Sequence, residues 1–211
     1  MNSEGTPMKM ACWVARPSVG IVPMLLLFAA CSAQAPRFHS LMPPVASVRV
    51  AAGAALPAWQ LLPVSIPAQV DQPQFVVRRA DDTLAVLEQE RWIAPLNEEI
   101  RAALGEHLTA ILGAPGSTPA AGRKDWRIAV DVQRFDSTPG RSTLIAQWAL
   151  LAGADAPVLR CRALHEQSVG AGIPAVAAGH RQALERLSAS MAQALTALDA
   201  GRAAGCPASP P

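Results

Sequence analysis

Four histidines, four cysteines and a scatter of carboxylates are the groups in this chain that could do chemistry. His165-Glu166 opens like a zinc-protease helix. That motif needs a second imidazole one helical turn on, and Val169 stands there instead. His107 and His180 fall on or beside apolar helical stripes, where a histidine satisfied in the core outweighs a metal ligand. Gly170-Ala171-Gly172-Ile173-Pro174-Ala175 fits a loose dinucleotide fingerprint, but no parallel strand with a closing acidic residue follows it. A strand-to-helix turn is the better reading. Gly140-Arg141-Ser142-Thr143-Leu144 lacks the closing glycine of a nucleophile elbow. Asp125 and Asp131 share one side of a strand but stand too far apart for paired acid/base work. Asp81-Asp82 reads as a turn and Glu98-Glu99 as a solvated helix start. The expectation is a non-enzymatic chain with no cofactor and no metal.

The elements that hold these residues follow from periodicity. Leu61–Ile66, Phe75–Arg79 and Thr83–Leu87 read as strands, the last two joined at Asp81-Asp82. After a corner at Glu90-Arg91-Trp92, Pro95 opens a helix whose apolar stripe is Leu96, Ile100, Ala103, Leu104, Leu108, Ile111 and Leu112. Asn97, Glu98, Glu99, Arg101 and Glu106 face away, and Gly113 and Pro115 end it. Three strands joined by short turns come next: Asp125–Phe135, Ser142–Leu151 and Val158–Val169. Short turns make them antiparallel neighbours. Ala175–Leu198 is a second amphipathic helix with Val176, His180, Leu184, Leu187, Met191, Leu195 and Leu198 inward. The order implies one α/β domain (α+β is the alternative) with a mixed sheet of about five to six strands and two helices packed on it. Phe38–Leu41 is a further short strand, 45–58 an alanine-rich link, and 201–211 a disordered tail.

Charge excludes some partners. Only 16% of residues are charged and the formal net charge is +2, without a basic cluster interleaved with aromatics, so nucleic acid is not expected. The N-terminus points to a membrane instead. Lys9 and Arg16 precede the apolar run Ile21–Ala30, which is too short to span a bilayer and has the build of a secretory leader, with Met8 or Met10 as alternative starts. Leu27-Phe28-Ala29-Ala30-Cys31 resembles the bacterial lipobox, with Phe28 in the usual leucine position. That makes residues 1–30 a leader, Cys31 the lipidated first residue, 31–58 a strand and linker, and 59–200 the main domain. Ser32, in place of an aspartate, favours the outer membrane over the inner. Outside the cytoplasm a disulfide between Cys161 and Cys206 is allowed, and two unrelated thiols are the alternative. Of the tryptophans, Trp92 and Trp148, together with Phe38, are candidate partner contacts.

The lipobox, Phe38-His39-Ser40-Leu41, Pro63-Val64-Ser65-Ile66-Pro67, Pro73-Gln74-Phe75-Val76-Val77-Arg78 and Glu90-Arg91-Trp92-Ile93-Ala94-Pro95-Leu96 together resemble the PqiC/YmbA-type lipoproteins. Val130–Asp136 and Trp148 also fit. Phe38-His39 departs from the paired tyrosines usual there. The resemblance implies an auxiliary lipoprotein of an ABC-type or MCE-type transport system, facing the periplasm from the outer membrane and supporting the envelope. Its implied partners are a periplasmic MCE-domain protein and the inner-membrane permease, with phospholipid and a second copy of the chain as further candidates. A structural envelope lipoprotein without a role in lipid transfer is the rival reading. Acylation makes a direct prediction: Cys31→Ser moves the protein from the membrane to the soluble fraction. Unchanged fractionation of that variant would remove the anchor from Cys31.

Overall fold

The computed structural model describes residues 35–44, 57–116, 124–153 and 157–206. The leader, Cys31, most of the alanine-rich link and the end of the tail lie outside the described residues. Contacts divide the chain into Met1–Gln34 and a compact unit, Ala35–Pro211, which carries the fold. In order, this unit contains β1 (Arg37–His39), β2 (Ala58–Leu61), a 3-10 turn (Ala68–Val70), β3 (Gln74–Arg78) and β4 (Leu84–Trp92). Then come α1 (Leu96–Leu112), β5 (Asp125–Thr138), β6 (Arg141–Ala152), β7 (Pro157–Ser168) and α2 (Ile173–Asp199).

The α/β class and the two helices are as expected, but the strands divide into two mixed sheets rather than one. Their orders are β1-β4-β3 and β2-β5-β6-β7. β3 lies beside the second half of β5 without a ladder between them. Side chains span that seam instead: the Arg78 guanidinium donates to Asp136 at 3.2 Å.

Prolines explain the displaced second strand. β2 pairs in parallel with Asp125–Ile128, and the chain then continues along β5 through Leu62 N–H to the Ile128 carbonyl and Val132 N–H to the Ser65 carbonyl, both 2.9 Å. Pro63 and Pro67 have no N–H to offer, so the expected strand over Leu61–Ile66 is an interrupted one. β5, by contrast, runs past Phe135 to Thr138, and the hairpin is reduced to Pro139-Gly140 with Gly140 at φ +78°. Midway, β5 advances two residues, from Val132 to Arg134, while β6 advances one. This bulge changes the phase of the strand. Trp126, Ile128, Val130 and Val132 face inward before it, Phe135 and Ser137 after it.

α2 lies over β5, β6 and β7, and α1 packs on α2. α1 has the bounds read from the sequence, although Ile111 at its end is exposed. α2 presses hardest on the sheet at Gly179. A Cβ there would stand 2.3 Å from Ser142 Oγ and 2.6 Å from Val169 Cγ1. On the opposite face of the four-stranded sheet no helix lies among the described residues. Leu62, Pro63, Ala129, Gln147, Ala149 and Arg160 line an open trough of about 510 Å3 there.

Two glycine substitutions separate helix propensity from packing. Gly105 in α1 has open space around it, so Gly105→Ala gains about 0.5–1 kcal/mol in urea unfolding. Gly179→Ala gains the same propensity but must displace Ser142 and Val169, so a net loss of about 1–2 kcal/mol is expected. Equal stabilisation by both would show that α2 does not depend on the close approach.

Candidate functional site: a clamped N-terminal strand

β1 is a three-residue edge strand, too short for its parallel ladder with β4 to hold alone. Side chains fasten it. In register, Arg37 lies opposite Glu90 and His39 opposite Trp92, so both are on the Glu90 side of the ladder. Glu90 is only 5% exposed. It accepts from the Arg37 guanidinium and stands 2.6 Å from His39 Nε2. One turn into α1, Glu99 is equally buried. It accepts from Ser40 Oγ at 2.9 Å and from the Leu41 backbone N–H at 2.8 Å. From α2, Arg181 Nη1 donates to the Ser40 carbonyl at 3.0 Å. Ile93 N–H donates to the His39 carbonyl at 2.9 Å, and Leu41 is fully buried.

A run of rings carries this attachment into the core. His39 meets Phe75 edge-on at 5.8 Å, and Phe75 stacks on Trp92 at 4.5 Å. Trp92 then meets Phe135 at 6.0 Å, and Phe135 stacks on His180 at 3.8 Å. His180 is fully buried on α2, with Nε2 2.9 Å from Ser137 Oγ. A cleft of about 340 Å3 opens beside the clamp, lined by Gln72, Pro73, Trp92, Ile93, Pro95 and Leu96.

The candidate residues separate clearly. Phe38, on β1, is 56% exposed. Trp92 and Trp148 are corrected as partner contacts: both are buried, Trp92 in the ring series and Trp148 among the inward residues of β6. Cys161 and Cys206 are joined in a disulfide with Cα atoms 5.4 Å apart. This pins Gly201–Cys206 to β7, which corrects that part of the expected disordered tail. His165 is buried on a strand, and among the described residues no three His, Cys, Asp or Glu gather as metal ligands.

The clamp itself was misread from the sequence, where Glu99 is counted as solvated and Glu90 as part of a corner. The signals were present. Glu99 lies three residues after Leu96 and four before Ala103, on the apolar stripe. Glu90 precedes Trp92 by two, on one strand face. Arg181 carries no comparable signal, because its partner is a backbone carbonyl distant in sequence.

A family model for the ABC-type transport auxiliary lipoprotein component matches residues 39–192. The chain belongs to this family. The match starts at His39, inside the clamped strand, and ends in α2. Among solved structures, one crystal structure of an uncharacterised protein superposes with a TM-score of 0.62 at 17% identity, over 77% of this chain and 99% of its own. The crystal structure of protein XCC0632 from Xanthomonas campestris, of family DUF330, superposes with a TM-score of 0.57 at 23% identity, over 78% and 97%. These likenesses establish the fold. Among curated proteins no significant match is found.

The buried titratable groups make stability fall in acid. Burial pushes His180 down to about 3, so it is neutral in the folded chain. The unfolded chain takes up a proton there below about pH 6.5, which the folded chain refuses until near pH 3. Burial also holds His107 and His165 below the usual histidine range. For Glu90, burial opposes ionisation, but hydrogen bonds from His39 and Arg37 and their positive charge outweigh it and hold the carboxyl below the usual glutamate range. Its contribution is therefore present above about pH 4.3 and lost as pH falls through the lower folded value. Urea unfolding at several pH values should show stability declining from pH 6.5 downward, by up to about 1.4 kcal/mol per pH unit for each proton taken up. His180→Gln should reduce the slope between pH 6.5 and 4.5, and Glu90→Gln only the slope below 4.5. An unchanged slope in His180→Gln would mean that its ring is protonated in the fold.

Proposed function

We propose that this chain is a lipid-anchored accessory of an MCE-type intermembrane lipid transport system. Acylated at Cys31 and facing the periplasm from the outer membrane, it docks the periplasmic MCE-domain protein that works with an inner-membrane permease. Membership of the transport auxiliary lipoprotein family supplies the general role. The observation that carries the specific reading is the clamp. Arg37 follows Cys31 by six residues, a reach of roughly 20 Å when fully extended. A strand fastened by two buried carboxylates is a firm point at which the chain from an acylated cysteine can join the folded unit. The Cys161–Cys206 disulfide supports an oxidising compartment such as the periplasm. Each acyl methylene buried in a leaflet is worth about 0.8 kcal/mol, so a multiply acylated cysteine holds firmly. The open trough on the four-stranded sheet offers a surface for docking.

The test is a mild-detergent pull-down of the tagged, acylated chain, with mass spectrometry of both proteins and lipids. Recovery of an MCE-domain protein with phospholipid enrichment is expected. Recovery of abundant outer-membrane proteins alone, without lipid enrichment, would replace this reading with a purely structural envelope role.

A further inference from the structure

We infer that the apolar corner formed by Phe38 and Ile93 is a membrane-contact surface, seated at the headgroup–acyl boundary of the bilayer that holds the chain. The inference rests on the proposed anchor at Cys31 and adds to it a fixed orientation of the domain. Phe38 and Ile93 are 56% and 58% exposed, more than any other large apolar side chain described. They are also neighbours. Ile93 N–H donates to the carbonyl of His39, and Phe38 stands opposite Arg91 in the parallel ladder. Phe38, Arg91 and Ile93 therefore share the face turned away from Glu90 and Trp92.

Single exposed apolar side chains are ordinary. Position distinguishes these two. The chain outside the described unit ends at Gln34. Phe38 follows Cys31 by seven residues, a span of at most roughly 25 Å, so the corner is within reach of a bilayer that holds Cys31. The clamp matters here, because Phe38 cannot swing independently: Arg37, His39, Ser40 and Leu41 on either side of it are all fastened. Charge agrees as well: Arg91 stands opposite Phe38 on the same face, and a guanidinium beside an aromatic and an aliphatic side chain suits a phosphate-rich interface. Leu84 and Val86 are similarly exposed but lie at the opposite end of β4 from Trp92, and they serve as controls.

The experiment uses the mature chain purified from membranes, with its acylation read from the intact mass. It is placed in vesicles of phosphatidylethanolamine and phosphatidylglycerol that carry a photoactivatable phospholipid. Lipid adducts are expected on peptides containing Phe38 and Ile93, several-fold above those containing Leu84 and Val86. The Phe38→Ser/Ile93→Ser variant should lose that excess while keeping its thermal midpoint, since both side chains are exposed. Adducts spread evenly, or concentrated at Leu84 and Val86, overturn the inference. So does labelling of a co-purifying protein at Phe38 in place of lipid. A second preparation starts at residue 31 with an N-terminal hexahistidine tag held on nickel-chelating lipid, which fixes the tether at the same point without acylation. If the intact mass shows Cys31 unmodified, the anchor reading fails, and this preparation alone decides the corner: the adduct excess supports it and its absence overturns it.

Discussion

Two buried carboxylates set the terms of this fold. Removing a carboxylate from water costs several kcal/mol unless its oxygens are met by donors. Glu90 and Glu99 are met, and every donor comes from the five residues Arg37–Leu41. The dependence is mutual. Without that segment both carboxylates would be buried and unpaired; without the carboxylates a three-residue edge strand would have little to hold it. The start of the described unit is thus part of the core in energetic terms, although in sequence it precedes an alanine-rich link. Breaking such a pair costs more than the pair is worth net, so the clamp acts as a constraint on position more than as a source of stability.

The clamp reaches its site because two strands change phase. In β4 the partner of β3 jumps from Leu87 to Arg91 while β3 advances a single residue. Ala85 and Leu87 face inward before the irregularity, and Glu90 and Trp92 after it. In β5 the bulge after Val132 does the same for Phe135. The two irregularities bring Trp92 and Phe135 onto one face, 6.0 Å apart, and so join the ring series across the seam between the sheets. A strictly alternating β4 would have pointed Trp92 outward. Unpaired residues in the ladder are the cost of this arrangement, and an aromatic path from β1 to α2 is what it yields.

The same features explain what the sequence disclosed. The helices were legible because their apolar stripes persist over several turns, and a period of 3.6 tolerates an occasional polar member. The meander β5–β6–β7 was legible because long alternating runs were separated by Pro139-Gly140 and a glycine-bearing turn. Strand limits failed where backbone chemistry, not side-chain pattern, decided them: at Pro63, at the bulge near Gln133, and in β4 beyond Leu87. The division into two sheets follows from the seam at Arg78 and Asp136, a contact distant in sequence. Glu99 was misread because acidic residues at a helix start are usually solvated and favoured there by the helix dipole. Its spacing from Leu96 was the better guide. Trp92 and Trp148 stand out in the sequence by residue type alone, and type does not separate a core tryptophan from an interface one.

Three consecutive residues of α2 show how closely the constraints are coupled. Gly179 lets the helix approach β6 until a methyl group would collide with Ser142. At that separation His180 stacks on Phe135 at the end of the ring series. Arg181 then reaches back to the Ser40 carbonyl beside the Glu99 clamp. A helix held farther from the sheet would lengthen all three contacts together, since one rigid element carries them. The close approach at one glycine thus fixes the far side of the N-terminal strand, which is the segment that any anchor at Cys31 would pull on. Because Arg37, His39, Ser40 and Leu41 are all fastened, the folded unit presents Phe38 in a single direction.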